Sequence, residues 1–381
     1  MESKYSLKKE IGLENFIFLG CFFAFFFGVG SVMGGVNMIK TMMETGFDLL
    51  INICLYLMAV AVLAGAVSGL FSEFGTVALI NKILYKLMKP LYDLPGASSL
   101  GILNCFLSDN PAILTLADDD NFRRYFKQYQ LPALTNLGTA FGMGLITTTA
   151  MMGLNVKSAV PAALIGNAGA IAGSIVSVRL MIHFSKKRYG TEAMVSTKRV
   201  DPIPEKMRPV RPGGAGARFI QAMLDGGKSG VSMGMAIIPG VVIICTIVIM
   251  LTNGPSADGT YTGAAREGIA LLPWIGQKLS FILNPLYGFS SPEAISVPIT
   301  ALGSTGAALG IVKEMSLMGK ITANDIAVFT AICMCWSGYI STHIAMMDAL
   351  DTKEMTGKAI LSHTIGGLFA GFVAHLLAFV L

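Results

Sequence analysis

Apolar residues run through this chain in long stretches separated by short polar patches, and the lengths of the stretches predict its elements. Residues 16–39 form the first, with Phe22, Phe23, Phe25, Phe26 and Phe27 at its middle; 47–71, 132–153, 159–184, 231–251, 326–350 and 359–381 follow. Each reaches the roughly 20 residues a helix needs to cross a bilayer, which predicts about seven transmembrane helices. Residues 72–90 place Lys82, Lys86 and Lys89 at helical intervals and predict an amphipathic helix at the interface. Residues 269–283 have the same character, and 219–228 form a short amphipathic piece. Two stretches read differently, being apolar, then briefly polar and broken by glycine or proline, then apolar again. They centre on Ser108-Asp109-Asn110-Pro111 and Gly303-Ser304-Thr305-Gly306. Arms of about eight apolar residues are too short to cross, so the pattern predicts re-entrant hairpins over 97–117 and 292–313.

Each hairpin is preceded by Pro-Leu-Tyr, and 285 − 90 = 195. That offset holds without a gap: Pro90, Leu91, Tyr92, Leu107, Ala112, Thr135, Thr147, Ala150, Met151 and Met152 each meet an identical residue 195 positions on. The chain is therefore read as an internal repeat: an N-terminal helix over 1–40, a first copy over 41–184, a basic linker over 185–215 and a second copy over 216–381. Three spans and one hairpin per copy make an odd number of crossings, so the second copy is inverted. The linker carries Lys186, Lys187, Arg188, Lys198, Arg199, Lys206, Arg208 and Arg211, which places it in the cytoplasm. The N-terminus then lies on the same side and the C-terminus outside. Residues 16–39 are too long for a secretory signal and lack a clean cleavage site.

Composition agrees with the pattern. The chain is 53% hydrophobic and 13% charged, against about 25% charged in soluble domains, so an ordinary soluble core is excluded. The fold class expected is an all-α polytopic membrane protein of a bacterial-type plasma membrane. The net charge of +5 is accounted for by loops, which leaves no case for nucleic acid. All six cysteines sit in apolar surroundings, as small buried hydrophobes do. The trio Asp118-Asp119-Asp120 reads as a helix start that complements the dipole. The sequence holds no nucleophile constellation, phosphate loop or metalloprotease motif; an enzyme is not expected, nor a cofactor.

The candidate chemistry lies at the hairpin tips. Inverted repeats with interrupted helices near the bilayer midplane are a recurring plan of secondary transporters, and irregular backbone at that depth must be buried in protein or line a wet cavity. Ser108, Asp109 and Asn110 at the first tip, and Gly303, Ser304 and Thr305 at the second, are the expected substrate-binding residues, with Ser337 and His343 from the following span. An imidazole titrates near neutral pH and suits a coupling proton; its alternative is a neutral histidine bonded between helices. Asn110, Asn136, Thr139 and Thr342 are the expected ligands of a coupling ion. Hydroxyl stripes of this kind also serve plain interhelical bonding.

Two inverted copies, each with an interfacial helix, a Pro-Leu-Tyr lead and a re-entrant hairpin followed by two spans, resemble the nucleoside-recognition or Gate-domain membrane proteins. That group includes concentrative nucleoside transporters, spore-maturation-type membrane proteins and the membrane part of B-type ferrous iron transporters. The resemblance extends over about residues 47–381. It implies a site between Ser108-Asp109-Asn110 and Gly303-Ser304-Thr305, completed by backbone near Asn136 to Thr139 and Trp336 to Ser337. The glutamine and glutamate that read base and ribose in the nucleoside transporters have no counterpart at these tips. The leading expectation is symport of a small polar solute by alternating access, coupled to Na+ or H+. A non-transporting scaffold or sporulation-type complex subunit, and a passive channel or exporter, stay open, as does a homo-oligomer.

Overall fold

The computed structural model describes residues 9–381, apart from 110–111, 118–119, 197–209, 257 and 338 and the side chains of 114–116, 120–121 and 341. Asn110, Asp118, Asp119 and the middle of the basic linker thus lie outside the described residues. Helix dominates; the strand-like pairing found among the described residues is a single bridge between Lys127 and Met194.

The first helix, α1 (Leu13–Met33), is apolar all round and leaves most of its phenylalanines exposed, as a helix facing lipid does. It stops at Gly34, which adopts φ +81°, so the first stretch ends earlier than residue 39. Next, α2 (Gly35–Asp48), a π-helical turn at Leu49–Cys54 and α3 (Leu55–Glu73) form one continuous helix of 39 residues. The amphipathic α4 (Thr76–Tyr92) follows, then the short pair α5 (Ser98–Leu107) and α6 (Ala112–Ala117), which are packed together with Ile113 against Gly101. After a single turn, α7 (Asp120–Arg123), comes the stretch read as one span, 132–153. It is two helices, α8 (Leu131–Phe141) and α9 (Gly144–Met152), parted by Met143 at φ +53°. The long α10 (Ala159–Tyr189) closes the first half.

The second half opens with α11 (Ala215–Gly240), a π-helical turn at Val241–Cys245 and α12 (Thr246–Thr252), again one continuous helix, of 38 residues. Residues 219–228 are therefore the start of this long helix, not a separate amphipathic piece. Two short helices, α13 (Leu271–Lys278) and α14 (Ser280–Tyr287), precede the pair α15 (Ser296–Ala301) and α16 (Thr305–Leu317). The last three are α17 (Ala323–Cys335), α18 (Tyr339–Ala349) and α19 (Thr356–Ala378). Among the described residues, five helical stretches are long and apolar enough to cross a membrane: α1, the two rods α2–α3 and α11–α12, α10, and Lys353–Ala378.

The offset of 195 carries over to the elements. It moves α4 onto 271–287, the combined range of α13 and α14, and moves α8 and α9 onto 326–336 and 339–347, the α17–α18 pair. The two rods pack antiparallel through glycines. A Cβ at Gly65 would lie 2.3 Å from the Gly226 carbonyl oxygen, one at Gly69 2.3 Å from Ala222, and one at Gly230 2.3 Å from Ala61. Rising numbers in one helix meet falling numbers in the other. The same holds for α10 and α19, where Gly173 faces Gly366 and Gly169 faces Ala370. Small residues let helix backbones approach where no hydrophobic drive between helices exists.

Two bodies result. The rods form one. The other is built on α8, α10, α17 and α19, whose mutual contacts bury Asn136, Ser177 and His363. Between them sit α9, against α3, and α16, against both π-helical turns, where Gly310 meets Ile53 and Cys245 and the Cys245 thiol donates to Ala307 O at 3.0 Å.

Candidate functional site

Helix ends supply the polar groups of the centre. At the α17–α18 junction the carbonyls of Cys333, Cys335 and Trp336 lose continuous intrahelical partners, and a helix end buried without partners is costly. Thr305, in the first turn of α16, donates its hydroxyl to Cys333 O at 2.9 Å and to Trp336 O at 3.3 Å. His363 of α19 meets Cys335 O through Nε2 at 2.5 Å. The carbonyl accepts, so Nε2 carries the proton and Nδ1 accepts from Ser177 Oγ at 2.7 Å. Ser177 Oγ in turn accepts from Asn136 Nδ2 at 2.9 Å, while Asn136 also donates to Ala359 O at 3.2 Å. The α15–α16 pair is thus bonded to the broken helix through one hydroxyl. Ser304 caps α16, accepting from Ala307 N at 3.2 Å. At the first tip, Asp109 O accepts from Ala112 N at 3.0 Å and starts α6. Gly144 lets the Phe106 ring lie against the start of α9, since a Cβ there would lie 2.2 Å from the ring.

A cavity of about 230 Å³ opens where these parts converge. The first tip contributes Asp109 and the α8–α9 junction Met143. The α15–α16 pair contributes Gly303, Ser304, Thr305 and Gly306, the α17–α18 region Ser337 and Thr342, and the rod α11 closes the side with Met233, Ala236, Ile237 and Gly240. Asp109 is the charged side chain in this lining; no lysine, arginine or histidine belongs to it among the described residues. The rest is hydroxyl, exposed backbone, thioether and the aliphatic wall of Ala236 and Ile237, a lining for a neutral or cationic polar solute with an apolar side.

The structure therefore brings together Asp109, Gly303, Ser304, Thr305, Ser337 and Thr342 of the residues singled out in the sequence. Ser108 is exposed and does not line the cavity. Asn136 and Thr139 are fully buried in helix packing, Thr139 donating to Thr135 O at 2.9 Å. His343 is likewise buried, its Nδ1 donating to Tyr339 O at 2.8 Å and its ring 4.7 Å from that of His363. Met143 and the α11 face were not foreseen. The only hint in the sequence was Gly142-Met143-Gly144, a glycine pair inside an apolar run.

Fold and cavity together define a polytopic helical membrane protein with a polar site framed by two short helix pairs and two broken helices. Solved structures of the concentrative nucleoside transporter CNTnw share this fold. A variant in an outward-facing state aligns over 96% of this chain and 85% of its own, with TM-score 0.55 and 16% identity. The transporter in an inward-facing, substrate-bound state aligns over 96% and 84%, with TM-score 0.52 and 15% identity. A variant in an intermediate state aligns over 95% and 86%, with TM-score 0.53 and 16% identity. No protein-family model matches the chain, and no curated protein sequence does.

Proposed function

We propose that this protein is a secondary transporter that moves a small polar solute, nucleoside-like or another compact metabolite, by alternating access. The observation that carries the reading is the central cavity, where Asp109 and the Ser304–Thr305 tip meet two broken helices and a separate rod. The CNTnw structures support it, because the same fold there occurs in outward-facing, intermediate and inward-facing states. In this reading α5–α6 and α15–α16 are re-entrant hairpins opening to opposite sides, and α8–α9 and α17–α18 complete seven spans. The basic linker and N-terminus lie in the cytoplasm of a plasma membrane and the C-terminus outside. Na+ or H+ is the coupling ion: hairpin carbonyls and hydroxyls are hard oxygen ligands for sodium, and Asp109 is the group in the cavity for a proton.

The test is uptake into proteoliposomes, first screened by thermal shift against nucleosides, amino acids and amines in sodium and in potassium. Saturable uptake that depends on a sodium or proton gradient is expected, and Asp109→Asn combined with Thr305→Ala abolishes it while the protein still folds. Flux that never saturates points to a channel. Full uptake by the double variant removes the site from this cavity.

A further inference from the structure

Residues 253–256 and 258–270, which lie between α12 and α13, are bound closely to the rods. Asn37 of α2 donates to Tyr261 O at 2.8 Å, Ile269 N to Met250 O at 2.8 Å, and Asn253 Nδ2 to Arg266 O at 2.9 Å. Arg266 is held in an uncommon backbone conformation, φ +70°, with its N–H on the buried Thr45 Oγ1 at 2.8 Å. A non-glycine residue at that φ persists only when its surroundings over-determine it. The effect is to aim its guanidinium at two carboxylates, one on the rod and one on α16. Nε and Nη2 reach Asp48 Oδ2 of the rod at 2.9 and 2.5 Å, while Nη1 reaches Glu314 Oε1 of α16 at 2.5 Å. The Glu314 side chain is 3% exposed, and its Oε2 has no hydrogen-bond partner among the described residues.

We infer that Arg266 and Glu314 form a latch between the rods and the second hairpin, and that it holds the protein in the conformation seen here. The inference rests on the alternating-access reading above, in which the hairpin moves past the rods. A slide of about one helical turn, roughly 5.4 Å, is beyond the reach of a 2.5 Å ion pair. It would leave Glu314 a buried carboxylate without its partner, the costly way to break such a pair. Arg266 does not follow, because Asp48 and Thr45 keep it on the rod. The neighbouring Lys313 of α16 lies over the Tyr56 ring of α3 at 4.3 Å, a second and softer contact across the same boundary. Arg266 and Glu314 are thus positioning residues: neither touches the cavity.

The test places spin labels at Met43→Cys on α2 and Leu317→Cys on α16, both well exposed, in a background carrying Cys21→Ser, and reads their distance distribution in lipid nanodiscs without solute. One dominant distance is expected for the parent. Glu314→Gln and Arg266→Gln should each raise the ratio of a second population by roughly tenfold, and the double variant should go no further than either single one, as two halves of one contact must. If the Gln variants fail to fold, Glu314→Asp, which withdraws the carboxylate by one methylene, must shift the distribution in the same direction. An unchanged distribution in folded variants overturns the latch, as does a double variant in which the two shifts add. The labels report movement whether or not solute is carried. Failed uptake with shifted distances therefore sinks the transport reading and leaves the latch, and unshifted distances with intact uptake do the reverse.

Discussion

Glu267 shows how much one side chain can organise outside the membrane. It is 4% exposed, and its carboxylate accepts from Ser256 Oγ at 2.6 Å, Thr262 Oγ1 at 2.7 Å and the N–H groups of Thr262 and Gly263 at 3.0–3.1 Å. Burial alone would raise its pKa; the hydrogen bonds from Ser256, Thr262 and Gly263 outweigh it and bring the group from 4.5 down to about 2. A carboxylate whose folded value is depressed contributes stability that is fully present above the unfolded value and is lost as pH falls through the folded one. The melting-temperature advantage of the parent over Glu267→Gln should therefore be complete at neutral pH and shrink between about pH 4.5 and 2; an advantage independent of pH would rule out the charge as its source. At this scale the sequence was readable where a polar group interrupts an apolar run, as at Ser304-Thr305 and Ser337. It was silent at Ile237 and Gly240, which line the cavity from within an apolar run that looks like any other span. It pointed past the cavity at His343 and Asn136, because a polar residue in a span bonds to its neighbours as readily as to a solute.

The rods teach the same point for elements. Gly226, Gly227 and Gly230 around Lys228 look like a helix breaker, since glycine costs about 1 kcal/mol against alanine in a helix interior. That is why 219–228 read as separate from 231–251. In the fold these glycines are the contact surface, with Gly226 and Gly230 against Gly65 and Ala61, and the backbone approach they permit outweighs their intrinsic penalty. Conversely, Gly142-Met143-Gly144 is apolar enough to hide a true break. Gly65→Leu should then force the rods apart, because its Cβ alone would lie 2.3 Å from Gly226 O and no rotamer relieves a clash with backbone. The expected cost is at least the 1–3 kcal/mol typical of overpacking, read as a lower melting temperature in detergent. Gly357→Ala, where a Cβ meets nothing within 4 Å, should leave the melting temperature within a degree or two by the same reasoning. Equal losses in both variants would mean the rod crossing is not what the glycines serve.

Taken whole, the molecule sets a polar cavity between two bodies, within each of which equivalent helices run antiparallel, and the start of α16 touches both. Ser304 caps α16, which sits between the bodies, and a Cβ at Gly240 in the rod would lie only 2.8 Å from its hydroxyl. If the bodies slide past each other, Ser304 changes its exposure from one side of the membrane to the other while Thr305 stays bonded to the α17–α18 junction. Ser304→Cys in a Cys21→Ser background should accordingly react with a membrane-impermeant maleimide added to either face of sealed vesicles, but in separate fractions of the population. A solute that binds the proposed site, at ten times its dissociation constant, should slow both reactions about tenfold, as occupancy demands. A fixed scaffold would expose the thiol to one face only. An open channel would expose the same molecules to both faces at once, so that reagent from one side exhausts the reactivity seen from the other within a single fast phase. Successive labelling from the two sides separates the three outcomes, and only the alternating pattern is compatible with the proposed alternating access.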